Sequence, residues 1–143
     1  MGVALQPNEP LSRFLIAKSW VMKQAGKASS AVFMPREGRT SVYRTAGWEE
    51  ARIWETAQRI RVRQIFGKAD VAVSEVIAVG LEVNPDDYPE GHAAIAGWPD
   101  EAEAQLERAT VLAEESRLQL LPEPIPGASA EEHVKLPRRG TSP

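Results

Sequence analysis

The sequence predicts an α+β domain: a small sheet of about four or five short strands with two main helices packed on it and a disordered C-terminal tail. Three observations predict it. Helical periodicity is confined to two stretches, Trp48 to about Phe66 and Asp100 to Leu118, while β-branched runs and turn residues fill most of the remaining chain up to Leu121. From Pro122 onward Pro122, Pro124, Pro126, Pro137 and Pro143 with Gly127 and Gly140 replace any apolar period. The expected organisation is a flexible start over 1–10, one globular domain over 11–121, and an extended or disordered tail over 122–143.

In chain order, Leu11 to Ile16 (LSRFLI) is a short apolar segment that fits a strand or the start of a helix. Lys23 to Ser30 is a polar loop containing Gly26. Ala31 to Met34, stopped by Pro35, and Thr40 to Thr45 then read as two strands joined by Arg36-Glu37-Gly38-Arg39, a hairpin. In the second strand the period of two sends Val42 and Arg44 to one face and Ser41 and Tyr43 to the other.

Ile53, Trp54, Ala57 and Ile60 form the apolar stripe of the first helix, with Gly67 as its stop. Ala69 to Val73 and Val76 to Val83 are rich in Val and read as one bent strand or two successive ones, with Gly80 at a bulge. Asn84 to Gly91 concentrates turn residues and is a loop. A short apolar segment, His92 to Trp98, leads into the second helix, which Asp100 caps and which carries Ala102, Leu106, Ala109, Leu112 and Ala113 at helical spacing.

The 143 residues are one domain's worth of chain, 43% hydrophobic and 26% charged, which argues against collagen-like, wholly disordered and membrane-spanning classes. There is no cysteine, so a thiol nucleophile, a disulfide scaffold and a thiolate zinc site are excluded. The start carries no secretory pattern, and the expected location is the cytoplasm with no membrane contact. Charge is uneven: residues 1–70 hold 12 Lys and Arg against 6 Asp and Glu, and residues 71–143 hold 5 against 14. Such a split fits two halves facing each other, or a basic half that meets phosphate. Nucleic acid is possible through the basic half but is not the preferred partner, because the whole chain is acidic.

Phosphate-loop, dinucleotide, zincin and EF-hand motifs are missing, so no cofactor and no metal are expected. His92 is the candidate general base, since histidine titrates near working pH, with Arg44 or Arg39 as the anion partner of a small hydrolase or nuclease-like enzyme. The preferred reading places His92 on a backbone carbonyl, pinning its loop, with no catalytic role. Arg52, Arg59 and Arg63 share one side of the first helix, where they face solvent or contact an acidic partner. Trp98, in Gly97-Trp98-Pro99, plugs an element end or anchors a partner.

Phe33-Met34-Pro35, Ser41-Val42-Tyr43-Arg44, Trp54 and His92-Ala93-Ala94-Ile95-Ala96-Gly97-Trp98-Pro99 occur in that order. The combination resembles a group of small bacterial proteins that share F-x-P, S-V-aromatic-R and H-A-x-I-x-G-W-P segments. The resemblance covers about residues 11 to 120. It implies bacterial origin and a shared fold, transfers no catalytic residue, and draws attention to Arg44, His92 and Trp98. The expected function is a non-catalytic interaction protein or accessory subunit of a multiprotein system, bound to a protein partner or to its own copies through Arg52, Arg59, Arg63 and Trp98.

Overall fold

A computed structural model describes residues 4–22, 26–60 and 64–126. Its centre is a strand that no propensity rule could separate from a helix. Residues Pro10–Leu15 (β1) alternate Leu11 and Leu15 toward one face with Ser12 and Phe14 toward the other. They pair antiparallel on both sides, with Thr40–Arg44 (β4) and with Ile65–Ala72 (β5). Val21–Met22 (β2) and Lys27–Ala28 (β3) form a separate small hairpin. Glu82–Pro85 (β6), His92–Ala96 (β7) and Arg117–Ile125 (β8) complete a six-stranded sheet in the order β6-β7-β4-β1-β5-β8, antiparallel throughout. The class is the expected α+β, but the sheet is larger than four or five strands.

Both faces are covered, and the two covers are unequal. Glu50–Ile60 (α1) lays Ile53 and Ala57 on Phe14, Tyr43 and Ile65, a small apolar cluster. Val73–Ala78 (α2), Ala102–Glu115 (α3) and the 3-10 turn Ser30–Val32 cover the opposite face, where Leu11, Leu15, Val42, Val71, Val76, Ile95 and Leu112 are buried together. The described part of the chain is therefore three layers deep, with the larger core beneath α3.

Several sequence expectations are corrected. The first helix ends within the described residues at Ile60, and Phe66 and Gly67 belong to β5 rather than to a helix end. Gly67 is there because a Cβ would meet Gln119 O at 2.3 Å and Leu120 Cα at 2.9 Å, so β8 can approach only a glycine. The Val-rich run from Val76 is half helix. Its first turn, which starts at Val73, is held by backbone donors: Val73 N–H donates to Glu9 O and Ser74 N–H to Pro7 O. The Glu75 carboxylate accepts from Ala72 N–H at 2.7 Å. Gly80 accordingly sits in the turn that ends α2, not at a bulge.

Ala31 to Met34 is not a strand. Val32 and Phe33 close a 3-10 turn onto Ser29 O and Ser30 O, and the Thr40 hydroxyl takes Phe33 O at 2.8 Å. Of the expected hairpin only the two-residue turn remains, with Glu37 (φ 54) and Gly38 (φ 83) both left-handed as a type I′ turn requires. Finally, Pro122 and Pro124 lie inside β8, the outermost strand. They occur between the pairs Gly67↔Leu120 and Ile65↔Ile125, where the register shifts and missing N–H donors cost no ladder bond. Residues 127–143 lie outside the described residues. Glu101, not Asp100, stands at the start of α3, without a side-chain cap bond.

Candidate functional site

The expected Asn84 to Gly91 loop is shorter, because Asn84 and Pro85 pair in β6; His92 opens β7 directly after residues 86–91, and the structure binds it to that loop. Its Nδ1 lies 2.7 Å from Asp86 Oδ1, and its carbonyl accepts from the N–H groups of both Asp86 and Asp87. Burial works against the Asp86 charge, but the bonds from His92 and from Tyr88 N–H and the charges of His92 and Arg39 hold its carboxyl below the usual range. On its sheet face His92 meets the Tyr43 ring edge-on, with centroids 5.4 Å apart. An Asp–His pair is also how a general base is oriented. Among the described residues, however, no hydroxyl is hydrogen-bonded to its second ring nitrogen.

Arg44 is bound elsewhere. Its Nε donates to Glu9 Oε2 at 2.5 Å and its Nη2 to Glu9 Oε1 at 3.2 Å, a forked pair in which both side chains are mostly buried. Burial again opposes the Glu9 charge, and the bonds from Arg44 and Gln6 N–H outweigh it, so the Glu9 pKa is lowered. Trp98 donates Nε1–H to Ile95 O at 3.0 Å and packs against the larger core. His92, Arg44 and Trp98 therefore do not converge: the cleft that Arg44 lines contains neither of the other two.

On α1, the Arg52 guanidinium stacks 3.8 Å from the centroid of Trp48 and pairs with Glu90 at 2.9 Å. Arg59 is exposed about two turns further along the same side. Arg63 lies outside the described residues.

Two features escaped the sequence reading. The first is a buried polar seam between β1 and β5. The Ser12 hydroxyl lies 2.7 Å from both Thr45 Oγ1 and Asp70 Oδ1, and Lys68 Nζ donates to Asp70 Oδ2 at 2.5 Å. These residues come from three chain segments, and only the register Ser12↔Asp70 brings them together. Ser12 is fully buried and Thr45 and Lys68 nearly so, which makes the seam a satisfied structural network rather than an open site.

The second feature is a cleft of about 870 Å³. It opens because β1 and β4 pair only at Leu11↔Arg44 and Ser12↔Tyr43 and then separate. Arg13 bridges the gap that two strands would otherwise close, donating Nη1–H to Ser41 O at 3.0 Å and Nε–H to Val32 O at 2.9 Å. Its guanidinium lies over the Trp20 ring at 5.3 Å. The type I′ turn brings Arg36 and Arg39 to the rim of this cleft as a directly opposed pair. No sequence signal marks the cleft beyond those two arginines, since it exists only through the divergence of two strands.

Searches of family models, of curated proteins and of solved structures found no match to this chain. Among the described residues no group of three or more histidine or acidic side chains is placed to hold a metal. No helix there is long and apolar enough to cross a membrane.

Proposed function

We propose that this chain is a non-catalytic interaction protein, an accessory subunit of a bacterial multiprotein system working in the cytoplasm. The bacterial part rests on the sequence resemblance. One observation carries the interaction: on the outer side of α1, Arg52 is stacked on Trp48 and held by Glu90, so an arginine and a tryptophan are presented together in a fixed geometry. Those two residue types dominate binding hot spots, and fixing them in advance lowers the entropy lost on docking. Arg59 extends the same basic side, and the surface fits an acidic protein partner or the acidic part of a second copy.

The hydrolase alternative has less support, because His92 and Arg44 are each engaged with a carboxylate of the fold, Asp86 and Glu9, in separate places. Affinity capture of the full chain from lysate of its source cells, with mass measurement of the isolated complex, tests the reading. A stoichiometric partner or a second copy is expected, and Arg52→Gln with Arg59→Gln should lose it while the variant still folds, as circular dichroism would show. A parent chain that stays monomeric and alone, or a double variant that keeps the same partner, would reject the proposal.

A further inference from the structure

The cleft between β1 and β4 meets α1 only at its last residue, Ile60, and has a chemistry of its own. Its lining carries Arg13, Arg36 and Arg39 against a single carboxylate, Glu37. Arg36 and Arg39 exchange both backbone hydrogen bonds across the turn, N to O at 2.8 and 3.2 Å, which sets their side chains next to each other on one face. Like charges directly opposed are unfavourable in a sheet, and among the described residues neither arginine has a carboxylate within ion-pair distance. Asp86 feels the charge of Arg39 but is itself bonded to His92. Two adjacent guanidiniums match an anion that carries more than one charge and several acceptor oxygens.

A phosphomonoester carries about −1.5 to −2 at neutral pH and three such oxygens, whereas one carboxylate would neutralise only one arginine. Behind the arginine rim the wall is apolar, formed by half-buried Trp20 and Met34, and the volume is far more than an inorganic ion fills. We infer that this cleft binds a phosphomonoester carried on a flat aromatic ring, the chemistry of a nucleotide, with Arg36 and Arg39 holding the phosphate and Arg13 fixing the cleft floor. The same group is offered by a free nucleotide and by the 5′-phosphorylated end of a single strand.

Calorimetry on the full chain separates these sources, using 5′-AMP, adenosine, and a short thymidine oligonucleotide with and without its 5′-phosphate. Binding of 5′-AMP with much weaker binding of adenosine is expected. Arg36→Gln with Arg39→Gln should weaken it about tenfold or more, because two charge-assisted contacts are lost. Both arginines are exposed and the turn keeps Glu37 and Gly38, so this variant should melt like the parent. Lys27→Gln with Arg117→Gln removes the same charge outside the cleft and should leave affinity unchanged. Binding of the phosphorylated strand but not the hydroxyl strand places the phosphate at a strand end, and binding of 5′-AMP alone makes the ligand a free nucleotide. If neither phosphorylated probe binds at about 1 mM, or the Arg36/Arg39 variant binds as tightly as the parent, the inference fails. Recovery of 5′-AMP unchanged keeps it independent of the proposed function: turnover would end the non-catalytic reading and leave the cleft assignment standing.

Discussion

Glu9 and Arg44 show how much a single buried pair decides here. Glu9 is 7% exposed and sits before β1, yet its backbone carbonyl accepts from Val73 N–H at the start of α2 while its carboxylate holds Arg44 of β4. Removing one partner leaves the other charge buried without its counter-ion, which is more costly than never having had the pair. Arg44→Met is therefore expected to destabilise the protein by about 3 kcal/mol in urea unfolding. Glu9→Gln combined with Arg44→Met should recover a large part of that loss, since the residues share one interaction. A double variant no more stable than the single one would show that the arginine acts through packing alone.

At the scale of elements, β8 depends on the glycine it passes over. A Cβ at Gly67 would lie 2.3 Å from a backbone oxygen of β8, which has no flexible side chain to move aside. Gly67→Ala should cost about 2 kcal/mol or more and release the strand from the edge of the sheet. Leu121 and Ile125, which pack against the cluster beneath α1, would be released with it. Hydrogen exchange checks this directly: protection should fall at β8 amides first while the α3 side of the sheet stays protected. Uniform loss of protection would mean that β8 unfolds only with the whole molecule.

For the whole molecule, acid is the informative perturbation. Glu9 and Asp86 have folded pKa values below their ordinary ones, so the folded state binds fewer protons than the unfolded state around those values. Their contribution is complete above the ordinary carboxylate range and is lost as pH falls through the lowered folded values. Urea midpoints measured from about pH 7 down to pH 3 should decline below the ordinary carboxylate range, and Glu9→Gln should flatten the decline. An unchanged slope in that variant would assign the acid sensitivity to other carboxylates. The unequal charge of the two halves acts on top of this, because protonating the acidic half leaves the arginines of the basic half without attraction across the fold.

The sequence by itself determined the mixed α+β class, the stripe Ile53, Trp54, Ala57 and Ile60 that α1 turns inward, the opposite faces taken by Val42 and Tyr43 of β4, and the existence of α3. Each is a local period or a short-range turn signal, and such signals survive because burying one face is the dominant requirement of any amphipathic segment. Ala72 offers no capping oxygen, so before α2 the sequence set a bare Glu75 against valines that favoured a strand. Only the tertiary structure decided that contest, because the carbonyls that satisfy the first turn of α2 come from Pro7 and Glu9, more than sixty positions away. It also decided the candidate sites. His92 joined its own loop because Asp86 lies within reach, the seam at Ser12 and Asp70 exists through strand register, and the arginine cleft exists because β1 and β4 part after two pairs. Register and strand divergence are relations between distant segments, set by the packing of both sheet faces at once, and no local pattern encodes them.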